Sequence, residues 1–107
     1  MSISLPEYIS RDQLLDRLQR EVATLADSDL SWWRQHSVEP FPVRNGDLSH
    51  FVVAVSGHDV LFFADDEDEF GQAKLEAGSE TLTNCGLFGD LLDAIRGIRR
   101  VVAQHGA

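Results

Sequence analysis

Five consecutive carboxylates stand near the middle of the chain, after the apolar residues Leu61–Ala64 and before Phe70 and Gly71. Oxygen ligands of this kind bind Ca²⁺, and a dense group of negative charges also attracts basic proteins. The run therefore has three interpretations: a metal-binding loop, a surface for a basic partner, or a solvated turn. Its members are Asp65, Asp66, Glu67, Asp68 and Glu69.

The calcium interpretation can be tested position by position against the EF-hand loop. Counting from Asp66 as position 1 puts Asp68 at position 3 and Gly71 at position 6, as that loop requires. Positions 5 and 12 are then Phe70 and Ala77, so one ligand and the closing bidentate carboxylate are missing. The four histidines have no zinc-site spacing either. We therefore expect no metal site and no cofactor.

Two further features contain residue types that can take part in catalysis: a histidine–carboxylate pair and a lone cysteine. A two-residue turn at Gly57-His58 would place His50 opposite Asp65, either as a catalytic dyad or as a cross-strand salt link. Cys85 precedes the last predicted helix, whose N-terminus would lower the thiol pKa, yet a lone cysteine is more often a small buried residue. The chain has no G-x-S-x-G, H-E-x-x-H or phosphate-binding glycine motif. We expect no enzyme and no catalytic residues.

Trp32 and Trp33 are adjacent on a predicted helix, where successive side chains point about 100° apart. One should therefore anchor the core, and the other should be partly exposed and able to serve as a binding residue. The alternative is that both pack against the sheet edge near Pro40 and Pro42.

The composition is that of one globular domain spanning residues 1–107, with 43% apolar and 25% charged residues and a net charge of -9. Eleven acidic residues and a single base lie between Asp47 and Asp93. The negative electrostatic field of these residues repels nucleic acid and anionic membranes, so we expect neither as a partner. No segment has the ~20 apolar residues of a membrane helix, and the first residues do not resemble a signal peptide. With one cysteine and hence no internal disulfide, a cytoplasmic location is expected.

Apolar spacings of three and four predict three helices. Ser10 and Gln13 form a capping box at the start of the first, and Asp29 or Ser28 would cap the second. Gly97 inside the third predicts a close crossing over the sheet. The predicted ranges are Ser10–Ala26, Leu30–His36 and Phe88–Gln104.

The middle of the chain predicts an antiparallel meander of three or four strands with the N- and C-terminal helices packed on one face, an α+β fold. Asn45-Gly46 is a hairpin signal, and Pro42 confines its strand to the sheet edge. A turn at Gly57-His58 would pair Val55 with Val60 and Val53 with Phe62. The predicted extended segments are Phe41–Arg44, His50–Ser56, Val60–Ala64, Gln72–Ala77 and a short Thr81–Thr83.

The segment VLFFADDEDEFGQAKL, an apolar strand opening into acids and a Phe-Gly pair, resembles segments of small acidic bacterial immunity proteins. The resemblance covers about Phe51 to Leu87. It implies a cytoplasmic, non-catalytic protein that neutralises a basic toxin by charge and shape complementarity. The absence of catalytic motifs and the concentrated charge favour the same function. We expect the acidic run, with Phe70 or Trp32 as an aromatic anchor, to form the interface of a monomer or homodimer.

Two alternatives come from other functional classes. One is a small dimeric chaperone or adaptor for a secreted protein, which would use a sheet edge or an apolar helix face. The other is a small enzyme using His50, Asp65 or Cys85.

Overall fold

The computed structural model describes residues 9–105, with side chains as far as residue 103, so the expectation about the first residues falls partly outside it. The strands form one antiparallel sheet in chain order, β1-β2-β3-β4-β5. The α+β class and antiparallel meander are confirmed, with five strands instead of three or four. The elements are α1 Arg11–Val22, α2 Asp27–His36, β1 Ser37–Asn45, β2 Leu48–Ser56, β3 Asp59–Ala64, β4 Glu69–Lys74, β5 Thr83–Gly89 and α3 Leu91–His105.

The start of α1 follows from its sequence. The Ser10 hydroxyl accepts from the Gln13 backbone N–H at 3.1 Å, and the Gln13 side chain accepts from the Ser10 N–H at 2.9 Å. The capping box is therefore confirmed. The helix ends at Val22, four residues before the predicted Ala26.

The start of α2 differs from the prediction. The helix begins at Asp27 with Ala26 as its N-cap, and no side chain caps it. Asp29 is instead buried and lies 2.6 Å from a guanidinium nitrogen of Arg99 on α3. A charge pair between helices has replaced the local cap that the sequence indicated.

Both faces of the sheet are apolar, which explains why all six residues of β3 are buried. The three helices pack on one face, as predicted for the terminal two. The opposite face is crossed by the connection between β4 and β5, where Leu82 donates its N–H to the Arg44 carbonyl at 2.7 Å. The helix-side core includes Leu14, Leu18, Trp33, Val53, Ala54, Leu61, Phe63, Phe70, Leu91 and Ile95. The second cluster comprises Val43, Val52, Val60, Phe62, Ala64, Ala73 and Leu82.

The register of the central hairpin is partly as predicted. Gly57-His58 is the turn and Val55 pairs with Val60, but Phe62 pairs with Val52 instead of Val53. The pairing shifts between Val52 and Ala54, so Val53 is an extra residue in β2. Val53 and Ala54 both join the helix-side core because of this bulge.

The segment before the last helix was predicted incorrectly. It forms β5, so α3 begins at Leu91 and not at Phe88, and Cys85 lies in a strand. β4 likewise begins at Glu69, three residues before the predicted start. The close crossing at Gly97 is confirmed, because a Cβ there would lie 2.8 Å from Cζ of Phe88 on β5. No helix within residues 9–105 has both the length and the apolar character needed to cross a bilayer.

Candidate functional site at the acidic turn

The five carboxylates lie where β3 turns back into β4, and we call Asp65–Glu69 the acidic turn. Four of them form the connection, while Glu69 opens β4 opposite Ala64. The Glu67 N–H donates to the Ala64 carbonyl at 3.2 Å. Asp68 has φ = +53°, a left-handed conformation that aspartate tolerates better than most residues. The strand pairing of β3 and β4 therefore fixes the position of the run.

Two members of the acidic turn bind the segment that contains α1. Asp65 Oδ2 accepts from the Ile9 backbone N–H at 2.6 Å. Asp68 Oδ1 lies 2.5 Å from Nη1 of Arg17, whose guanidinium also lies over the rings of Phe63 and Phe70. Part of the charge is therefore used to attach the turn to the helical layer.

Arg17 also links the acidic turn to the third helix through Glu21. Its Nε donates to Glu21 Oε2 at 2.6 Å, and Glu21 Oε1 accepts from the Leu91 backbone N–H at 2.8 Å, at the start of α3. Burial alone would lower the pKa of Arg17, but hydrogen bonds to Glu21 and Asp68 outweigh it and the pKa is raised. Sequence reasoning missed Arg17 because the helical pattern gives no signal for a contact with Asp68, 51 residues away.

On the opposite face of the sheet, Asp66 approaches a buried histidine. His50 is only 2% exposed and stacks on Phe62, with 5.3 Å between ring centroids. Its Nε2 lies 3.4 Å from Nδ2 of Asn45, and its buried Nδ1 has no hydrogen-bond partner in the described part of the chain. The nearest carboxylate oxygen is Asp66 Oδ1, 3.8 Å from Nδ1.

The predicted pairing of His50 with Asp65 is therefore wrong. The bulge at Val53 shifts β2 by one residue, so Phe51 pairs with Phe63 and the register places His50 opposite Ala64. Asp65 binds Ile9 on the helical side, and the next carboxylate turns toward the imidazole.

His50 and Asp66 line a cavity of about 260 Å³ at this end of the sheet. Two leucines on its wall are exposed although apolar: Leu48 by 37% and Leu87 by 44%. We call this space the His50 cavity. Its other lining residues are Asn45, Phe62, Ala64, Glu67 and Cys85.

Cys85 lies in β5 on the wall of this cavity and not at a helix N-terminus. Cys85 is exposed, so the alternative of a small buried residue is wrong. The partial desolvation that it does undergo raises the pKa of its thiol. The activation considered from the sequence therefore has no structural basis at this position.

The two proposed aromatic anchors are not on the acidic surface. Phe70 was predicted incorrectly, because its side chain is fully buried against Phe63. Trp32 is half-buried, and its ring centroid lies 4.6 Å from that of His36. The Nδ1 atom of His36 is in turn 3.1 Å from the Val55 carbonyl oxygen. Val55 pairs with Val60, five residues before Asp65 and so roughly 16 Å from it along the strand.

Trp33 is buried in the helix-side core, while Trp32 packs at its margin. The expectation of one buried and one partly exposed tryptophan is confirmed. The structure does not bring Trp32 into contact with the acidic turn.

Within residues 9–105, no three His, Cys, Asp or Glu side chains are grouped so as to hold a metal ion. Comparison of the whole chain with protein-family models, curated proteins and solved structures gives no match.

Proposed function

We propose that this chain is a non-catalytic protein-binding module that acts in the cytoplasm and neutralises a basic protein partner, such as a toxin. The acidic turn supplies the electrostatic part of the interface. The observation that carries this proposal is the position of Asp66 and Glu67 beside exposed Leu48 and Leu87, around one cavity. Apolar residues can form the core of an interface, and charges of one sign around them attract a partner of the opposite charge.

The contacts of the turn divide its charges into two groups. Asp65 and Asp68 bind Ile9 and Arg17, and these contacts hold the turn on the helical layer. Glu67 is exposed, and its carboxylate makes no hydrogen bond or ion pair within the described range. Its carboxylate is therefore available to a partner, and a net charge of -9 for the chain strengthens the long-range attraction of a basic one.

The experiment changes the charge of the turn without touching its structural contacts. The double variant Glu67→Gln/Glu69→Gln removes two charges but leaves Asp65 and Asp68 in place. The matched control, Glu76→Gln/Glu80→Gln, removes the same charge from the exposed β4–β5 connection. Immobilised wild-type protein and both variants capture partners from the source cells at low and high salt, with identification by mass spectrometry.

Association with the identified partner is then measured by surface plasmon resonance between about 20 and 200 mM salt, where screening of exposed charges changes strongly. We expect the turn variant to lower the on-rate several-fold at low salt and to flatten its salt dependence. The control variant should stay close to wild type. An identical on-rate and salt slope for wild type and the turn variant would refute the electrostatic role of the turn.

A second candidate is a small enzyme, and one observation favours it: His50, Asp66 and Cys85 line the same cavity. Asp66 takes the place that the sequence had suggested for Asp65. Against it, partial burial raises the pKa of the Cys85 thiol and so disfavours the nucleophilic thiolate. We expect iodoacetamide to alkylate Cys85 more slowly than free cysteine at pH 7. Faster alkylation would indicate an activated nucleophile and favour the enzyme.

A further inference from the structure

The His50 cavity contains a polar atom that the surrounding protein leaves unpaired. Nδ1 of His50 is buried and has no hydrogen-bond partner within residues 9–105. A buried, unpaired polar group lowers stability, so a group that reaches this atom and pairs with it gains affinity. The other polar group nearby is the Asp66 carboxylate, at 3.8 Å.

The neighbours of the imidazole decide what kind of group can pair there. Asn45 Nδ2 lies 3.4 Å from Nε2, and because an amide nitrogen only donates, this contact requires the tautomer whose ring proton is on Nδ1, facing Asp66. At 3.8 Å the two are too far apart for a direct hydrogen bond. A hydroxyl oxygen about 2.8 Å from both would accept from Nδ1–H and donate to the carboxylate. Because Nδ1 is closed to solvent, the side chains around it have to move to admit that oxygen.

This requirement excludes most protein side chains. Lysine, arginine and tryptophan donate but cannot accept from Nδ1–H. Aspartate and glutamate would meet the charges of Asp66 and Glu67. Serine, threonine, asparagine, glutamine and neutral histidine both donate and accept, but they have less apolar surface than tyrosine to cover Leu48 and Leu87. Tyrosine joins a hydroxyl to a large apolar ring.

We propose that the His50 cavity receives a tyrosine side chain of the partner, with its hydroxyl between His50 Nδ1 and Asp66. The ring then packs between the two exposed leucines, Leu48 and Leu87. This inference rests on the proposed function and adds the anchor that Phe70 and Trp32 do not provide. Tyrosine is one of the residues enriched at the centre of protein interfaces, where it fills a well-packed pocket.

The first test uses 4-methylphenol as a mimic of the tyrosine side chain, titrated into the ¹⁵N-labelled full chain and followed by NMR. Two matched probes differ from it only in the polar group. The ether oxygen of 4-methylanisole accepts a hydrogen bond but cannot donate one, and 4-methylbenzoate is an anion. We expect 4-methylphenol to shift the amide signals of residues lining the cavity. 4-Methylanisole should bind about tenfold more weakly, because it leaves the Asp66 carboxylate without its hydrogen bond, and 4-methylbenzoate should not bind.

Protein variants then test which side chains cause the preference for 4-methylphenol over 4-methylanisole. In Asp66→Ala, 4-methylphenol and 4-methylanisole should bind equally, because the acceptor that distinguishes them is gone. Leu87→Ala should weaken both probes, whereas Leu15→Ala, an exposed leucine on α1, should weaken neither. Shifts confined to residues outside the cavity, or a phenol preference that persists in Asp66→Ala, would overturn the proposal.

A peptide comparison separates this inference from the proposed function. Acetyl-Lys-Tyr-Lys-amide should bind about tenfold more tightly than acetyl-Lys-Phe-Lys-amide and should displace 4-methylphenol. If the peptides bind equally, with affinities that fall with salt and in Glu67→Gln/Glu69→Gln, the tyrosine inference fails while the acidic surface stands. If 4-methylphenol binds but the tyrosine peptide does not displace it, the cavity takes a free phenol and the inference also fails.

Discussion

Arg17 on α1 and Asp68 in the acidic turn are 51 residues apart in sequence, with 2.5 Å between Nη1 and Oδ1. Asp68 is largely exposed, so this ion pair alone contributes little to stability. Arg17 is only 24% exposed, and its guanidinium also binds Glu21 and lies over Phe63. The contact therefore connects the acidic turn to a residue that helps to hold α1 and α3 together.

Replacing Arg17 should destabilise the fold. We expect Arg17→Met to lower the free energy of unfolding by about 1–3 kcal/mol, because Glu21 loses a partly buried partner and the rings lose a cation. Arg20→Met on the same helix is the control, since Arg20 is exposed and lies 3.8 Å from Asp16. Its effect should stay below about 0.5 kcal/mol. Urea denaturation measures both, and equal effects would show that the Arg17 contacts are unimportant.

Two glycines in neighbouring strands should respond differently to the same substitution. A Cβ at Gly71 would lie against the Gly86 carbonyl oxygen and 2.8 Å from Cζ of Phe62, whereas one at Gly86 meets nothing within 4 Å. We expect Gly71→Ala to cost about 1–3 kcal/mol or more, as overpacking does, and Gly86→Ala to be close to neutral. Thermal unfolding of the two variants measures the difference. A wild-type-like Gly71→Ala protein would mean that β4 and β5 are less closely packed.

Buried apolar residues on both sides of the sheet should carry much of the stability. Alanine substitution of a core residue is expected to cost roughly 2–5 kcal/mol through the cavity that it leaves. Leu15→Ala is the matched control for Leu18→Ala, because Leu15 is 41% exposed on the same helix. Melting temperatures that match wild type for all four core variants would contradict the assignment. The four are Leu18→Ala, Val53→Ala, Phe62→Ala and Leu91→Ala, all at buried positions.

Calcium should not bind tightly at the acidic turn. Asp65 is oriented toward the Ile9 N–H, Asp68 toward Arg17 and Asp66 toward His50, so the carboxylates diverge instead of surrounding one point. We expect calorimetric titration to detect no site with a dissociation constant below about 10 µM, the range of calcium sensors. Stoichiometric binding in that range would require the turn to rearrange.

The features that the sequence determined by itself depend on near neighbours. The capping box of Ser10 and Gln13, the turn at Gly57-His58 and the apolar run of β3 are each set within a few residues. They were sufficient to predict the α+β class, the antiparallel meander and the position of the acidic run after a central strand.

Tertiary structure decided which residues meet across the sheet. The extra residue at Val53 brought Asp66, and not Asp65, to His50, and β5 added the wall that carries Cys85 and Leu87. A bulge adds one residue to one strand of a pair, and no local pattern around Val53 indicated it. The partners of Arg17 were unpredictable for a related reason. From the sequence, a charged residue such as Arg17 on a helix is expected to be solvated. Only the fold shows that a carboxylate and two aromatic rings lie around it.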